Sequence, residues 1–386
     1  MKRNHPGRAL TSAILSLSLL TVMAGAAVAP ALGVIQSYFS EASPVLIQMV
    51  ISVPAIFIVL TNAVFPALCR RFRARTLVLI GLLLYTVGGC AAGVFSKIWL
   101  VLVMRALVGV GVGIIMPMST GLLSFYYPPE RLDALMGLSS AMNQMGGVVA
   151  TLLAGLLANL SWRASFLVYL MGLLSILLCL VFLPNDSIAP PTESAGNRGS
   201  AFRSSFRYIL AMFLLMSSFF LYPANFALET TTEGLIPQQF IAVIMAMMDF
   251  VAFLGGLLFV RCKLLLGGRM KLLAPVLFLS GYLLLAFWGG WGGTLLGSVC
   301  IGFANGVGIP FLISQASLRV GKSAATTVIP LLSAALYLAQ FLSPVLMGAV
   351  NRLSGGVSHL PYCFAAVLSA LFLLWSTSLP EDSAYR

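Results

Sequence analysis

Apolar residues are grouped along the chain in long blocks that short polar breaks separate. The blocks occupy residues 10–38, 44–68, 76–96, 98–124, 134–160 and 164–183, and then 206–227, 237–260, 272–288, 294–318, 324–350 and 360–379. About 20 apolar residues in a helix are enough to cross a hydrocarbon core roughly 30 Å thick. A membrane β-barrel would show shorter segments of alternating apolar and polar residues instead. The pattern therefore predicts an all-α membrane protein with about 12 transmembrane helices.

The composition agrees with a membrane environment. Hydrophobic residues make up 60% of the chain and charged residues only 8%, whereas a soluble domain carries roughly 25% charged residues. So few charges cannot cover a surface that faces water.

Basic residues are distributed unevenly between the two sides that alternating helices define. The side that holds both termini receives 18 of the 22 Lys and Arg residues. Because Lys and Arg accumulate in cytoplasmic loops, we expect cytoplasmic termini and a location in the cell membrane. The net charge of +12 is then explained by loops that face anionic lipid headgroups, and nucleic acid is not an expected partner.

The two halves of the chain resemble each other. Shifting the 386-residue sequence by half its length, 193 residues, aligns turn and packing residues without a gap. The aligned pairs include Pro30 with Pro223, Gly88 with Gly281, Gly109 with Gly302, Gly113 with Gly306 and Pro117 with Pro310. We therefore expect two pseudo-symmetric six-helix halves at 1–183 and 206–386, joined by a polar cytoplasmic linker at 184–205. Halves repeated in this way suit alternating access around a central site.

Several motifs resemble those of the major facilitator superfamily, and the resemblance covers nearly the whole chain. The fourth block contains Arg105, Gly109, Gly111 and Gly113, followed by Pro117, which is similar to the family's R-x-x-x-G-x-G-x-G signature. Trp162-Arg163 with Phe166, and the run from Gln340 to Pro344, resemble two further family elements. The resemblance implies a twelve-helix secondary transporter. Independently of the family, Gly109 and Gly113 form a face that allows close helix contact.

Two departures from the family pattern concern the subfamily. The loop after the second block keeps basic residues at Arg70 and Arg71. Arg70, however, stands where the family has an acidic residue, so this loop lacks the acid that the family places at a neighbouring helix N-terminus. The antiporter signature of the fifth block is partial, with Gly137, Gly146 and Gly155 matching. The nearest resemblance is to twelve-span drug:proton antiporters.

Asp249 is the main candidate for proton coupling. The predicted span at 237–260 places it near the midplane, on a face with Ala242, Ala246, Ala252 and Gly256. A carboxyl at this depth is costly unless it has a function or a partner, and burial lets it exchange protons near neutral pH. The alternative is a carboxyl that hydrogen-bonds a neighbouring helix.

Arg105 has two open interpretations. It could hold an anionic substrate or tune an acid, or it could tie helix ends and backbone carbonyls together. Its position in the repeat is occupied by Ser298 in the second half.

The remaining cavity candidates are polar but uncharged, or aromatic. Any of them could instead join helices, because Asn and Gln hydrogen-bond across membrane helices. They are Gln36, Gln48, Asn143, Gln144, Tyr222, Asn225, Phe226, Asn305, Tyr337 and Gln340.

An enzyme is not expected. The only histidines are His5 and His359, no phosphate-binding loop is present, and no spacing suggests a metal site. We predict proton-coupled efflux of small organic or amphipathic compounds by a monomer, without a cofactor, driven by the proton gradient. Alternatives are uptake of a small solute, such as an anion held by Arg105, or a membrane receptor or scaffold that does not transport.

Overall fold

The structure is a computed structural model that describes residues 8–187, 198–234, 236–320, 322–354 and 359–379. Regular structure within these ranges is helical. The chain divides into two compact units, Met1–Thr192 and Glu193–Arg386. Each unit is built from the long apolar helices that the sequence pattern predicts.

The first unit contains six helical stretches, two of which are interrupted. Helices α1 (Arg8–Ala26) and α2 (Leu32–Tyr38) are separated by a 3₁₀ turn at Ala29–Ala31, where Pro30 lies. The next stretches are α3 (Pro44–Arg71), α4 (Ala74–Ala92), α5 (Ile98–Tyr126) and α6 (Pro129–Ala158). The last consists of α7 (Trp162–Ser165), a 3₁₀ segment at Phe166–Leu170 and α8 (Met171–Phe182).

Six long helices lie in the described residues of the second unit. They are α9 (Arg198–Glu233), α10 (Gln238–Leu266), α11 (Met270–Phe287), α12 (Trp291–Val320), α13 (Lys322–Ser354) and α14 (Leu360–Thr377).

The described residues include 11 stretches that are long and apolar enough to cross a membrane. One of these, Gln238–Phe287, has 50 residues and contains both α10 and α11. A straight helix of that length would measure about 75 Å, more than twice the hydrocarbon thickness. The chain turns between the two helices at Gly267, whose positive φ of 50° suits glycine. The expected all-α membrane fold with about 12 spans is confirmed.

Two helix boundaries differ from the sequence-based expectation. Helix α9 begins at Arg198, so residues 198–205 extend a helix where we expected linker. Polar residues suggested a loop there, but the stretch contains no proline to stop a helix growing backward from the apolar span. Helix α10 continues to Leu266, six residues beyond the predicted end. Residues 188–197 of the predicted linker lie outside the described part of the chain.

The same glycine contacts recur in both units. A side chain at Gly109 of α5 would clash with the backbone of Pro54 in α3, and one at Gly113 would lie 2.6 Å from the Cβ atom of Thr61. In the second unit, side chains at Gly302 and Gly306 of α12 would clash with the carbonyls of Met248 and Ala252 in α10. Each pair is offset by the repeat length, so both units use small residues to bring equivalent helices together.

Candidate functional site

Arg105 lies in the interior of the first unit with none of its surface exposed. Its Nε donates to the carbonyl of Val50 at 2.6 Å, and Nη1 donates to the Tyr169 hydroxyl at 2.5 Å. Nη2 donates to the carbonyl of Ala24, which also accepts a bond of 2.8 Å from the Tyr169 hydroxyl. The guanidinium therefore joins α1, α3 and α5 with the 3₁₀ segment before α8.

Both carbonyls lack a partner in their own helix for an identifiable reason. Val50 would accept from the backbone N–H four residues later, but that residue is Pro54, which has no N–H. Ala24 lies in the last turn of α1, and the N–H of Val28 bonds to Gly25 instead. Arg105 thus donates to the two carbonyls that the proline and the helix end leave without a donor in their own helix.

The repeat supports this interpretation of Arg105. The position equivalent to Pro54 in the second unit is Met247, which keeps its N–H, and the position equivalent to Arg105 is Ser298. Among the described residues, the hydrogen-bond partners of Arg105 are carbonyl and hydroxyl oxygens. These contacts favour a structural role over the holding of an anionic substrate.

The candidates on α6 lie along its contact with α1. The Asn143 Oδ1 atom accepts a hydrogen bond from the Thr21 hydroxyl. Ser18 and Ser139 share a bond of 2.7 Å in the same seam. A side chain at Gly146 would clash with the carbonyl of Leu19 in α1. Asn143 and Gly146 therefore join α6 to α1. On the same helix, Gln144 is half-buried and Gly155 is buried.

The other first-unit candidates are spread over α2, α3 and α5. The Gln36 side-chain amide donates to the carbonyl of Ala42 at 3.3 Å, which ties α2 to the turn before α3. Gln48 is buried within α3, at 2% exposure. Pro117 lies inside α5. The hydrogen bonds of Gln36 and Asn143 go to different elements, the turn before α3 and helix α1.

In the second unit, Tyr222 is the centre of a polar contact between α9 and α12. Its hydroxyl lies 2.6 Å from the Ser298 Oγ atom, and Ser298 in turn donates to the carbonyl of Thr294 at 2.7 Å. The Tyr222 ring stacks on Phe226 with centroids 4.5 Å apart. Tyr222 and Ser298 are both fully buried.

Asp249 lies on α10, the helix that packs on α12 through the glycine contacts at Gly302 and Gly306. Asp249 is half-buried and acts electrostatically on the Tyr222 hydroxyl. The residue is about 17 Å from the start of α10 and about 26 Å from its end. Because α10 extends past the predicted end, Asp249 lies nearer the start of the helix and not at its middle, where we expected it.

The remaining second-unit candidates are buried or half-buried. The Asn225 amide donates to the carbonyl of Leu221 at 2.8 Å. Asn305 is 7% exposed, and within the described chain its buried Oδ1 atom has no hydrogen-bond partner. On α13, Tyr337 is half-buried and Gln340 is buried. The structure thus joins Tyr222 with Phe226 by ring stacking, and Asp249 acts electrostatically on the Tyr222 hydroxyl.

Arg70 and Arg71 are exposed at the end of α3.

Asp186 is an acid that the sequence analysis did not single out. The Tyr126 hydroxyl donates to the Asp186 carboxylate at 2.8 Å, and the Ala74 N–H donates to the Asp186 carbonyl at 2.8 Å. Arg75 donates to the Leu183 carbonyl at 2.5 Å. Residues 183–186 are therefore fastened to the beginning of α4 and the end of α5.

Among the described residues, no three His, Cys, Asp or Glu side chains are grouped so that they could hold a metal ion. A cavity of about 20 Å³ at the end of α9, beside Thr230, Thr294 and His359, has room for one water molecule.

Sequence signals for the missed residues were weak. The contacts of Tyr169 and Ser298 depend on how the helices pack, which the sequence does not show. The repeat only aligns Ser298 with Arg105. Asp186 lies in a polar stretch that predicts only a linker.

Comparison with known proteins gives a family match. A family model described as Major Facilitator Superfamily matches residues 14–344. Two curated relatives described as multidrug resistance protein B homologs, from two strains of Mycobacterium tuberculosis, are 31% identical over 118 residues, or 30% of this chain and 22% of theirs. A third, described as a cis,cis-muconate transport protein of Acinetobacter baylyi, is 27% identical over 146 residues, or 36% of this chain and 35% of its own. The chain thus matches about a fifth to a third of the length of these relatives.

Solved structures resemble this chain over nearly its full length. The nucleoside transporter NupG has a TM-score of 0.75 at 14% identity, covering 96% of this chain and 100% of that one. The D-xylose-proton symporter has a TM-score of 0.75 at 15% identity, covering 97% and 98%. At these identities the likeness shows the fold.

Proposed function

The chain belongs to the major facilitator superfamily, and from this premise we propose that it is a proton-coupled transporter that exports small organic or amphipathic compounds. Its apolar helices make it an integral membrane protein. Family membership points to transport rather than to an enzymatic reaction. We further propose alternating access between two halves by a monomer in the cell membrane, with lipid around it and both termini in the cytoplasm.

The observation that carries proton coupling is Asp249. It puts a carboxyl in a membrane helix that packs on α12, and this carboxyl acts electrostatically on the buried Tyr222 hydroxyl. An ionisable group at this depth is costly to keep, which supports a functional role. The neutral carboxyl tolerates apolar surroundings better than the charged carboxylate does. Gain and loss of a proton at Asp249 would therefore couple the transport cycle to the proton gradient.

Export is supported by the described names of relatives and by the residues near Asp249. One group of relatives carries the description of multidrug resistance proteins over 118 matched residues. Half-buried and buried methionines near Asp249, such as Met247 and Met248, offer adaptable apolar contacts for varied compounds. The guanidinium of Arg105 donates hydrogen bonds to Val50, Tyr169 and Ala24. These bonds argue against an uptake mechanism in which Arg105 holds an anion.

Efflux of ethidium from preloaded cells tests this function. We expect faster efflux from cells with the wild-type chain than from empty cells, and loss of the difference with a protonophore or with Asp249→Asn. Asp249→Glu, which keeps an acid, should retain part of the efflux. Equal efflux from wild-type and empty cells would argue against drug export, and flux in the opposite direction would favour an uptake transporter.

A further inference from the structure

An arginine is held between two aromatic rings at the end of the first unit that lies opposite Arg8. The guanidinium carbon of Arg163 is 5.0 Å from the centre of the Tyr38 ring and 4.8 Å from that of the Trp162 ring. Its Nη2 atom donates to the Tyr38 hydroxyl at 3.0 Å and to the Ser96 hydroxyl at 2.9 Å. The rings and the two bonds orient the guanidinium, while Arg163 as a whole is only half-buried.

This arrangement leaves part of the donor set of Arg163 unused. A guanidinium has five N–H donors, and both hydrogen bonds of Arg163 start from Nη2. Within the described chain, Nε and Nη1 have no hydrogen-bond partner. Arg163 therefore presents a fixed positive charge with donors that an external acceptor can use.

A second cation lies beside this arginine. Lys97 is exposed and directly follows Ser96, whose hydroxyl accepts from Arg163. Among the described residues neither Lys97 nor Arg163 forms an ion pair, and Glu41, the acid in the loop after α2, forms none either. This end of the unit thus carries two positive charges that no acid of the described chain neutralises.

Exposed apolar side chains surround the two cations. A Cβ atom at Gly93 would lie 2.8 Å from the backbone carbonyl of Arg163, so the next residue, Val94, is close to Arg163. Val94 is 72% exposed, Trp99 is 64% exposed and Leu160 is 79% exposed. These residues lie at or just beyond the ends of candidate membrane spans, where the hydrocarbon meets the headgroups. An apolar surface beside a positive charge matches the chains and the phosphate of a lipid.

We propose that Arg163, together with Lys97, binds the phosphodiester headgroup of a membrane lipid whose acyl chains lie along the exposed apolar side chains beside it. Phosphate oxygens accept strong, charge-assisted hydrogen bonds from a guanidinium, and Nε and Nη1 supply the donors. A free phosphate ion could use the same donors, but it would gain nothing from the exposed apolar surface. With both termini in the cytoplasm, this lipid belongs to the outer leaflet. The site does not involve Asp249 and is independent of the direction of transport.

Protection of Lys97 from acetylation tests the proposal on the purified full chain in a non-ionic detergent. Peptide mass spectrometry follows the reaction of Lys97 with an amine-reactive acetylating reagent as dioleoyl phosphatidylglycerol is added. We expect this lipid to slow the reaction. Dioleoylglycerol, which has the same chains and no phosphate, and inorganic phosphate at the same concentration should not. Equal protection by dioleoylglycerol would show that the phosphate is not bound, and equal protection by inorganic phosphate would show that the ligand is not a lipid.

A charge variant identifies Arg163 as the binding group. Arg163→Gln should raise the concentration of phosphatidylglycerol that half-protects Lys97 by roughly five- to tenfold. Arg71→Gln, which removes an exposed arginine at the opposite end of the same unit, is the matched control and should leave this concentration unchanged. The same half-protecting concentration in wild type and Arg163→Gln would overturn the proposal.

A conservative variant tests the orientation of the guanidinium and serves where Arg163→Gln does not fold. Arg163→Lys keeps the charge but loses the planar group that stacks on Tyr38 and Trp162. We expect the half-protecting concentration to rise by roughly two- to threefold, since a lysine has to be ordered when the lipid binds. An unchanged concentration in Arg163→Lys would contradict the role of the stacked guanidinium.

Discussion

At the scale of single residues, the charge on Arg105 is explained by two carbonyls that have no partner in their own helices. Pro54 frees the carbonyl of Val50, and the end of α1 frees that of Ala24. Leaving a buried carbonyl unpaired costs about 1–3 kcal/mol. Arg105→Met leaves the Val50 carbonyl unpaired, whereas the Tyr169 hydroxyl still donates to Ala24, so we expect the free energy of unfolding of the detergent-solubilised protein to fall by about that amount once.

Replacing the proline should relieve part of this dependence. Pro54→Ala restores an N–H that can bond to Val50, so in the Arg105→Met background it should recover roughly 1 kcal/mol. Pro66→Ala, a proline in the exposed part of the same helix, is the control and should give no such recovery. Thermal unfolding followed by tryptophan fluorescence measures both. Equal recovery from the two alanine variants would contradict the pairing of Arg105 with Pro54.

Only part of this residue-scale picture could be predicted from the sequence. A buried arginine in a membrane helix and a proline in a neighbouring one are visible in the sequence, and carbonyl binding was one of two open interpretations. The involvement of Ala24 depends on the 3₁₀ turn at Ala29–Ala31. That of Tyr169 depends on how the broken last stretch of the first unit packs, which periodicity does not determine.

At the scale of helices, the glycine contacts decide which pairs can approach closely. A side chain at Gly109 or Gly302 would meet the backbone of the facing helix, and backbone cannot move aside as a side chain can. We expect Gly109→Ala and Gly302→Ala each to destabilise the protein by about 1–3 kcal/mol. Gly121→Ala, on the same helix as Gly109 but with nothing within 4 Å, should be neutral or stabilising. Unfolding midpoints compare the three, and a neutral Gly302→Ala would contradict the repeated packing.

The segment after α8 gives a second prediction for the helices. Tyr126 and the Ala74 N–H hold Asp186 against the beginning of α4. Tyr126→Phe removes one hydrogen bond to a carboxylate, worth about 1.5 kcal/mol, so local opening should become about tenfold more frequent. Hydrogen exchange of the Ala74 amide and of residues 183–187 should speed up, while Phe125→Leu, which leaves that hydroxyl in place, should not have this effect. Unchanged exchange in Tyr126→Phe would show that the hydroxyl does not fasten the segment.

The helices themselves were largely predictable, because apolar blocks of membrane length leave few alternatives. The ends were less so. Polar residues between 198 and 205 resemble a linker, yet they continue α9 because they contain no proline to stop the helix. The contact between Asp186 and Tyr126 joins residues 60 positions apart, which no local pattern reveals.

At the scale of the whole molecule, the repeat explains why both units share one packing plan and differ in their polar residues. Equivalent glycines serve both units, whereas Arg105 is confined to the first and Asp249 to the second. The shared residues were found by sequence because they recur at a fixed offset. Residues that occur in one unit alone have no such signal, and they are the ones on which we base function.

The measurement that tests the central claim most directly compares exchange with net transport in proteoliposomes. Exchange of labelled for unlabelled ethidium across the membrane needs alternating access but no net proton movement, whereas accumulation driven by an imposed pH gradient needs both. We predict that Asp249→Asn keeps exchange and loses pH-driven accumulation, and that Asp249→Glu keeps both. Full pH-driven accumulation by Asp249→Asn would contradict the assignment of Asp249 as the coupling acid.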